Sequence, residues 1–100
     1  MSTSDISFLA ELESVIGQRI ASGGAASYTA ELARAGGDRI AQKLGEDAVE
    51  LVVAAVSGDT DGQREEAADL VYHLLVLLQY NGLAIADVVD ALKERHKAEG

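Results

Sequence analysis

Apolar positions recur along this chain at the spacing of helix faces, and no stretch alternates in the manner of a strand. Phe8, Leu9, Leu12, Val15, Ile16 and Ile20 predict a helix over about 5–22. A short helix follows over 29–35, with Thr29 placed to cap it. A third is expected from Asp38, a good N-cap, to Ser57. A fourth runs to Tyr80 behind the loop 58–62, where Thr60 and Gln63 resemble a capping box. Asn81-Gly82 suits its end, and Ile85, Val88, Val89 and Leu92 mark one face of a fifth over about 84–97. Gly23-Gly24, Gly36-Gly37, Gly58 and Gly82 punctuate the series.

The third and fourth helices are unusually apolar. In the third, Leu44, Ala48, Leu51, Val52, Ala55 and Val56 form a stripe that Val49 and Val53 widen. Lys43, Glu46, Asp47, Glu50 and Ser57 are confined to the remaining arc. In the fourth, Glu65, Glu66, Asp69, Tyr72, His73 and Tyr80 share one arc, broken by Val76, and leucines and Val71 cover the rest. Helices of this kind belong in a core. A chain of 100 residues struggles to bury two of them alone. The expected architecture is therefore all-α, with antiparallel helices and a four-helix core completed by a homodimer. One domain spans 1–100, with a core over 27–97 and an N-terminal helix over 5–22.

Composition narrows the function classes. Lys and Arg number 8 against 17 Asp and Glu, a formal charge of -9 that argues against a nucleic-acid partner. The longest apolar run, Leu70 to Leu78, is interrupted by His73 and is too short to span a bilayer, so no membrane role is expected. The start of the chain has no signal-peptide pattern, and the absence of cysteine fits a reducing, cytoplasmic location.

The acidic arcs carry the candidate chemistry. Glu46 with Glu50, Asp47 with Glu50, and Glu66 with Asp69 are neighbours on a helix surface, and like charges so placed repel. Carboxylates converging from two antiparallel helices suit a hard cation such as Mg²⁺, or Mn²⁺. On spacing alone, solvated faces of amphipathic helices are the commoner explanation. Against it stand the narrowness of the arcs and the same acidic pattern on both helices. The clusters lie about eight and four residues from the five-residue loop, a mismatch that a water-filled cleft would span. Asp59 and Asp61 do not make an EF-hand, because the later acidic positions fall out of register.

At these residues the sequence resembles the phosphoribosyl-ATP pyrophosphohydrolases of histidine biosynthesis, within the MazG-like all-α NTP pyrophosphohydrolase superfamily. The resemblance runs from about Ser27 to His96. It is carried by Ser27-Tyr28-Thr29, Ile40-Ala41-Gln42-Lys43, Glu46-Asp47-x-x-Glu50, Glu66-x-x-Asp69 and Tyr72-His73-Leu74-Leu75. It implies Mg²⁺-dependent hydrolysis of phosphoribosyl-ATP to phosphoribosyl-AMP and pyrophosphate. It implies metal ligation by Asp47, Glu50, Glu66 and Asp69, and a role for Glu46 or Glu50 in activating water. Asp47 stands where glutamate is usual, and its shorter side chain leaves direct and water-bridged ligation both open. Arg39, Lys43, Tyr72, His73 and Arg95 are candidate substrate contacts. For His73 a satisfied core position is the competing assignment, for Tyr72 packing, and for Arg95 the C-terminal end of a helix dipole. A housecleaning pyrophosphohydrolase acting on free nucleoside triphosphates, or a non-catalytic dimerisation module, would share the same fold. The chain has no room for the cysteine-bearing cyclohydrolase domain often fused to this activity, so the resemblance implies a stand-alone form.

Overall fold

The computed structural model describes residues 5–24 and 27–99. It contains five helices: α1 (Phe8–Ser22), α2 (Tyr28–Ala35), α3 (Gly37–Val56), α4 (Thr60–Tyr80) and α5 (Ile85–Glu99). There is no strand among the described residues, so the fold is all-α as expected.

The helix starts differ from expectation by one to three residues, and at α2, α3 and α4 the differences are chemical. Ser27, not Thr29, caps α2 by accepting from the Ala30 amide. Thr29 lies inside the helix, fully buried, with its hydroxyl bonded to the Tyr72 hydroxyl. A threonine with a buried partner gains more there than at an exposed cap. Asp38 falls in the first turn of α3 behind Gly36, whose φ of 103° only glycine adopts readily. Asp59 rather than Thr60 caps α4, accepting from the Gly62 amide at 2.9 Å. A Cβ at position 62 would collide with the capping carboxylate, so the cap needs glycine there.

The α3–α4 connection is therefore the short turn Ser57–Asp59, and Thr60–Gly62 are already helical. The five-residue loop expected from sequence overcounted, and the mismatch between the acidic clusters disappears. Glu50 and Glu66 each lie eight residues from Gly58, and Asp47 and Asp69 each lie eleven. In an antiparallel pair hinged at Gly58 those residues sit level.

Helices α3 and α4 make the principal pair; α1 packs on α4, and α2 bridges α1 and α3. The core draws Ile16 from α1, Leu32 from α2, Ile40 from α3, and Leu75 and Val76 from α4. On α3 the residues facing inward are Ile40, Asp47 and Ala54, seven apart, with Leu44 and Leu51 half-buried between them. That is the a/d spacing of a packed helix seam. The wider apolar stripe divides here. Val49, Val52, Val53 and Val56 stay on the outside, Val56 being 84% exposed.

On α4 the arc of Tyr72, His73 and Val76, assigned to the polar side by its composition, turns inward. Its polar atoms find partners on α2 and α3, which removes the penalty for burying them. Helix α5 departs from α4 at 104° and has no buried residue. Its first turn is tied down, with the Ile85 amide donating to Glu13 at 2.6 Å. Beyond it, Val89 and Leu92 are exposed. This projection is reflected in a radius of gyration of 15.1 Å, against about 13 Å for a compact chain of this length. No single helix among the described residues is long and apolar enough to cross a membrane.

Replacing Asp59 with Ala should cost about 1 kcal/mol through the lost cap. A melting temperature lower by roughly 4–8 °C in a thermal scan would report it.

Candidate metal and substrate site

The antiparallel register brings Asp47 of α3 opposite Glu66 and Asp69 of α4. One carboxylate oxygen from each lies within 4.8 Å of the others. Asp47 is buried at 6% exposure, Glu66 half-buried and Asp69 exposed, so the cluster opens from the helix interface to solvent. Glu50 stands one turn along α3, its carboxyl within hydrogen-bonding reach of Glu66. Glu66 Oε2 is shut off from water and has no partner among the described residues.

The electrostatic consequence falls on Glu66. The Glu50 carboxyl beside it favours the protonated form, partial burial adds to this, and the charges of Glu50, Asp69 and Asp47 add further. Together they push its pKa up to about 7 from an ordinary 4.5. The folded chain therefore holds a proton there that the unfolded chain has already released, and folding is disfavoured as that proton is lost. Without a cation, stability should fall as pH rises from about 4.5 to about 7, and be flat in this contribution above that. Denaturation midpoints measured across this range in a chelator should show the slope in the parent chain and lose it in Glu66→Gln.

An orphaned buried oxygen, on a carboxyl group that the neighbouring Glu50 carboxyl, partial burial and nearby charge keep protonated, is what an all-oxygen cluster shows when a cation belongs in it. The donor set of carboxylates alone fits a hard divalent ion better than a soft one.

Behind Asp47 lies a chain of hydrogen bonds. His73, 7% exposed, places Nδ1 at 2.5 Å from Asp47 Oδ2 and 3.1 Å from the Asp69 carbonyl. Both are acceptors, so Nδ1 carries the proton. In the tautomer with its one proton on Nδ1 the ring accepts at Nε2, where the Tyr28 hydroxyl lies at 2.9 Å. Partial burial pushes the Tyr28 phenol up, so it stays protonated and can donate. Tyr28 also stacks on Tyr72 at 6.2 Å and meets the His73 ring edge-on at 5.8 Å.

Two clefts open beside α3. One, of about 290 Å³, runs between the C-terminal half of α3 and the start of α4, with Glu50 and Glu66 in its wall and Val49 and Val53 at its lip. The other, of about 240 Å³, lies between α2 and α3 and offers Tyr28, Arg39 and Lys43. Glu46 belongs to neither. It faces Lys43 at 3.6 Å and accepts from Gln42 at 3.1 Å. Arg95 lies on the exposed part of α5 and lines neither cleft. Tyr72 and His73, candidates for substrate contact, direct their polar atoms to Thr29, Asp47 and Tyr28. The sequence offered no way to pair Tyr28 with His73, 45 positions apart.

Fold and site together define an all-α protein with an acidic cluster, able to hold a metal ion, between two antiparallel helices. Residues 9–96 match the phosphoribosyl-ATP pyrophosphohydrolase family, and the chain belongs to it. It is 50% identical over 94 residues to the histidine biosynthesis bifunctional protein HisIE of Vibrio cholerae, covering 94% of this chain and 45% of that protein. The HisIE protein of Campylobacter jejuni is likewise 50% identical over 94 residues, with 94% of this chain and 45% of the relative covered. A phosphoribosyl-ATP pyrophosphatase of Agrobacterium fabrum is 47% identical over 87 residues, covering 87% of this chain and 81% of that protein. The chain thus spans slightly under half the length of the bifunctional relatives it matches.

Proposed function

We propose that this chain hydrolyses phosphoribosyl-ATP to phosphoribosyl-AMP and pyrophosphate, with Mg²⁺ as the cation. The observation that carries the reading is the convergence of Asp47, Glu66 and Asp69, with Glu50 against Glu66, in a chain of this family. A bound Mg²⁺ would neutralise charge on the phosphate chain and on the departing pyrophosphate. Asp47, Glu66 and Asp69 would hold it, with Glu50 at the edge of the same group.

The remaining work falls to side chains. Glu50 lines the larger cleft and is the carboxylate that would accept a proton from water as the water oxygen attacks phosphorus. The phosphorus–oxygen bond to pyrophosphate breaks in the same displacement. Glu46 is the weaker candidate for this role, because Lys43 and Gln42 engage it. Arg39 and Lys43, in the smaller cleft beside Glu31, would meet phosphate oxygens. Replacing Glu50 with Gln should lower kcat by about 10²–10⁴-fold with helicity unchanged. Pyrophosphate release from phosphoribosyl-ATP, and none from dUTP or dCTP, would separate this activity from a housecleaning one. Full activity of the Gln variant would remove Glu50 from the mechanism.

We further propose that the protein works as a homodimer joined through the outer stripe of α3. Val49, Val52, Val53 and Val56 are all at least 60% exposed. Positions 49, 52 and 56 repeat the spacing of a second helix seam. Val49 and Val53 also edge the larger cleft, so a partner seated on the stripe adjoins the carboxylates. Val52→Glu with Val56→Glu should convert the dimer to a monomer in sedimentation velocity, and an unchanged sedimentation coefficient would count against the interface.

A further inference from the structure

We infer that His73 is a positioning residue that aims the Asp47 carboxylate at the cation, and that Tyr28 holds His73 in the tautomer this requires. The inference rests on the proposal that the acidic cluster binds a divalent ion.

Three observations carry it. Asp47 is the most deeply buried of the three clustered carboxylates, yet aspartate is the shorter acidic side chain, with one fewer bond to adjust its aim. Its Oδ2 is held by the imidazole Nδ1–H at 2.5 Å, which restrains the orientation of the carboxylate. The imidazole is itself held from both sides. The Asp69 carbonyl accepts from Nδ1, and the Tyr28 hydroxyl meets Nε2 at 2.9 Å. Every hydrogen-bonding atom of the ring is thereby engaged within the protein, so His73 has no nitrogen left to offer a substrate.

The arrangement extends beyond the acidic cluster. Tyr28 is also a wall of the cleft that presents Arg39 and Lys43. The sequence of contacts Tyr28, His73, Asp47 therefore links the smaller cleft to the carboxylates through two hydrogen bonds. A partner that orients a metal-binding side chain typically alters metal affinity by about 10–100-fold when removed. A partner that only packs does not.

The test compares two polar variants that differ in where the donor sits. In His73→Asn the side-chain N–H occupies the place of Nδ1–H; in His73→Gln it falls nearer the place of Nε2. Mn²⁺ affinity is read directly by electron paramagnetic resonance of the free ion, with circular dichroism as the control for fold. Asn should bind Mn²⁺ close to the parent affinity, and Gln should bind about 10–100-fold more weakly. In the metal-free parent, the His73 ¹⁵N resonances should show the proton on Nδ1 and an acceptor at Nε2, and Tyr28→Phe should shift the Nε2 resonance. Equal affinities for Asn, Gln and parent would overturn the positioning role, as would a proton on Nε2 in the parent. Absence of Mn²⁺ binding by the parent itself would instead overturn the metal-site proposal, and this inference with it.

Discussion

A short buried hydrogen bond between Asp47 of α3 and His73 of α4 constrains most of what surrounds it. An isolated carboxylate at that depth would carry a large desolvation cost. The imidazole N–H offsets it, and the imidazole in turn needs an acceptor and a donor of its own. Those come from the α4 backbone and from Tyr28 at the start of α2. Three helices are thus tied together through His73 by two polar contacts, alongside an apolar core that includes Ile40, Leu75 and Val76. The same contact decides where the acidic cluster forms. With Asp47 level with Asp69, and Glu50 level with Glu66, repulsion among the carboxylates is unavoidable, and it appears as a Glu66 that keeps its proton to near neutrality. The fold concentrates negative charge at a place where a cation can repay it.

The apolar surface follows a different logic. Helix α3 carries two seams, and a single chain covers only the one based on Ile40, Asp47 and Ala54. The valine seam is left outside, as is most of α5. Exposed apolar area of this regularity costs solubility unless a partner covers it. The proximity of Val49 and Val53 to Glu50 and Glu66 in one cleft gives that surface a bearing on chemistry as well as on assembly.

Much of the fold was legible in the sequence, because glycine punctuation and 3.6-residue periodicity report helix existence directly. Cap positions were less so. Ser27, Gly36 and Asp59 took positions that Thr29, Asp38 and Thr60 also suited, and the choice among neighbouring capping residues depends on tertiary partners such as Tyr72 for Thr29. Which arc of α4 faces inward was read from hydrophobicity, and that reading fails where buried polar groups satisfy one another. In the candidate site, the acidic residues were legible from their spacing, but spacing alone favoured solvated faces. The meeting of Asp47, Glu66 and Asp69 became definite once Thr60–Gly62 proved helical and shortened the turn. The pairing of Tyr28 with His73, and with it the orientation of the His73 ring, was out of reach, since nothing in a linear pattern pairs residues on α2 and α4. The outward course of α5 was equally hidden, because an apolar stripe does not say what covers it.

The chain belongs to the phosphoribosyl-ATP pyrophosphohydrolase family, and the α3–α4 interface brings together three carboxylates that could hold a metal ion. The claim on which the rest turns is that the carboxylates of Asp47, Glu66 and Asp69 hold one divalent ion between the two helices. Anomalous diffraction at the manganese edge, from crystals of the chain grown with Mn²⁺, tests it most directly. The expected result is a strong anomalous peak bounded by those three carboxylates, with the buried Glu66 Oε2 turned to the ion. A peak elsewhere on the molecule, or none at saturating Mn²⁺ with Glu66 still against Glu50, would contradict it.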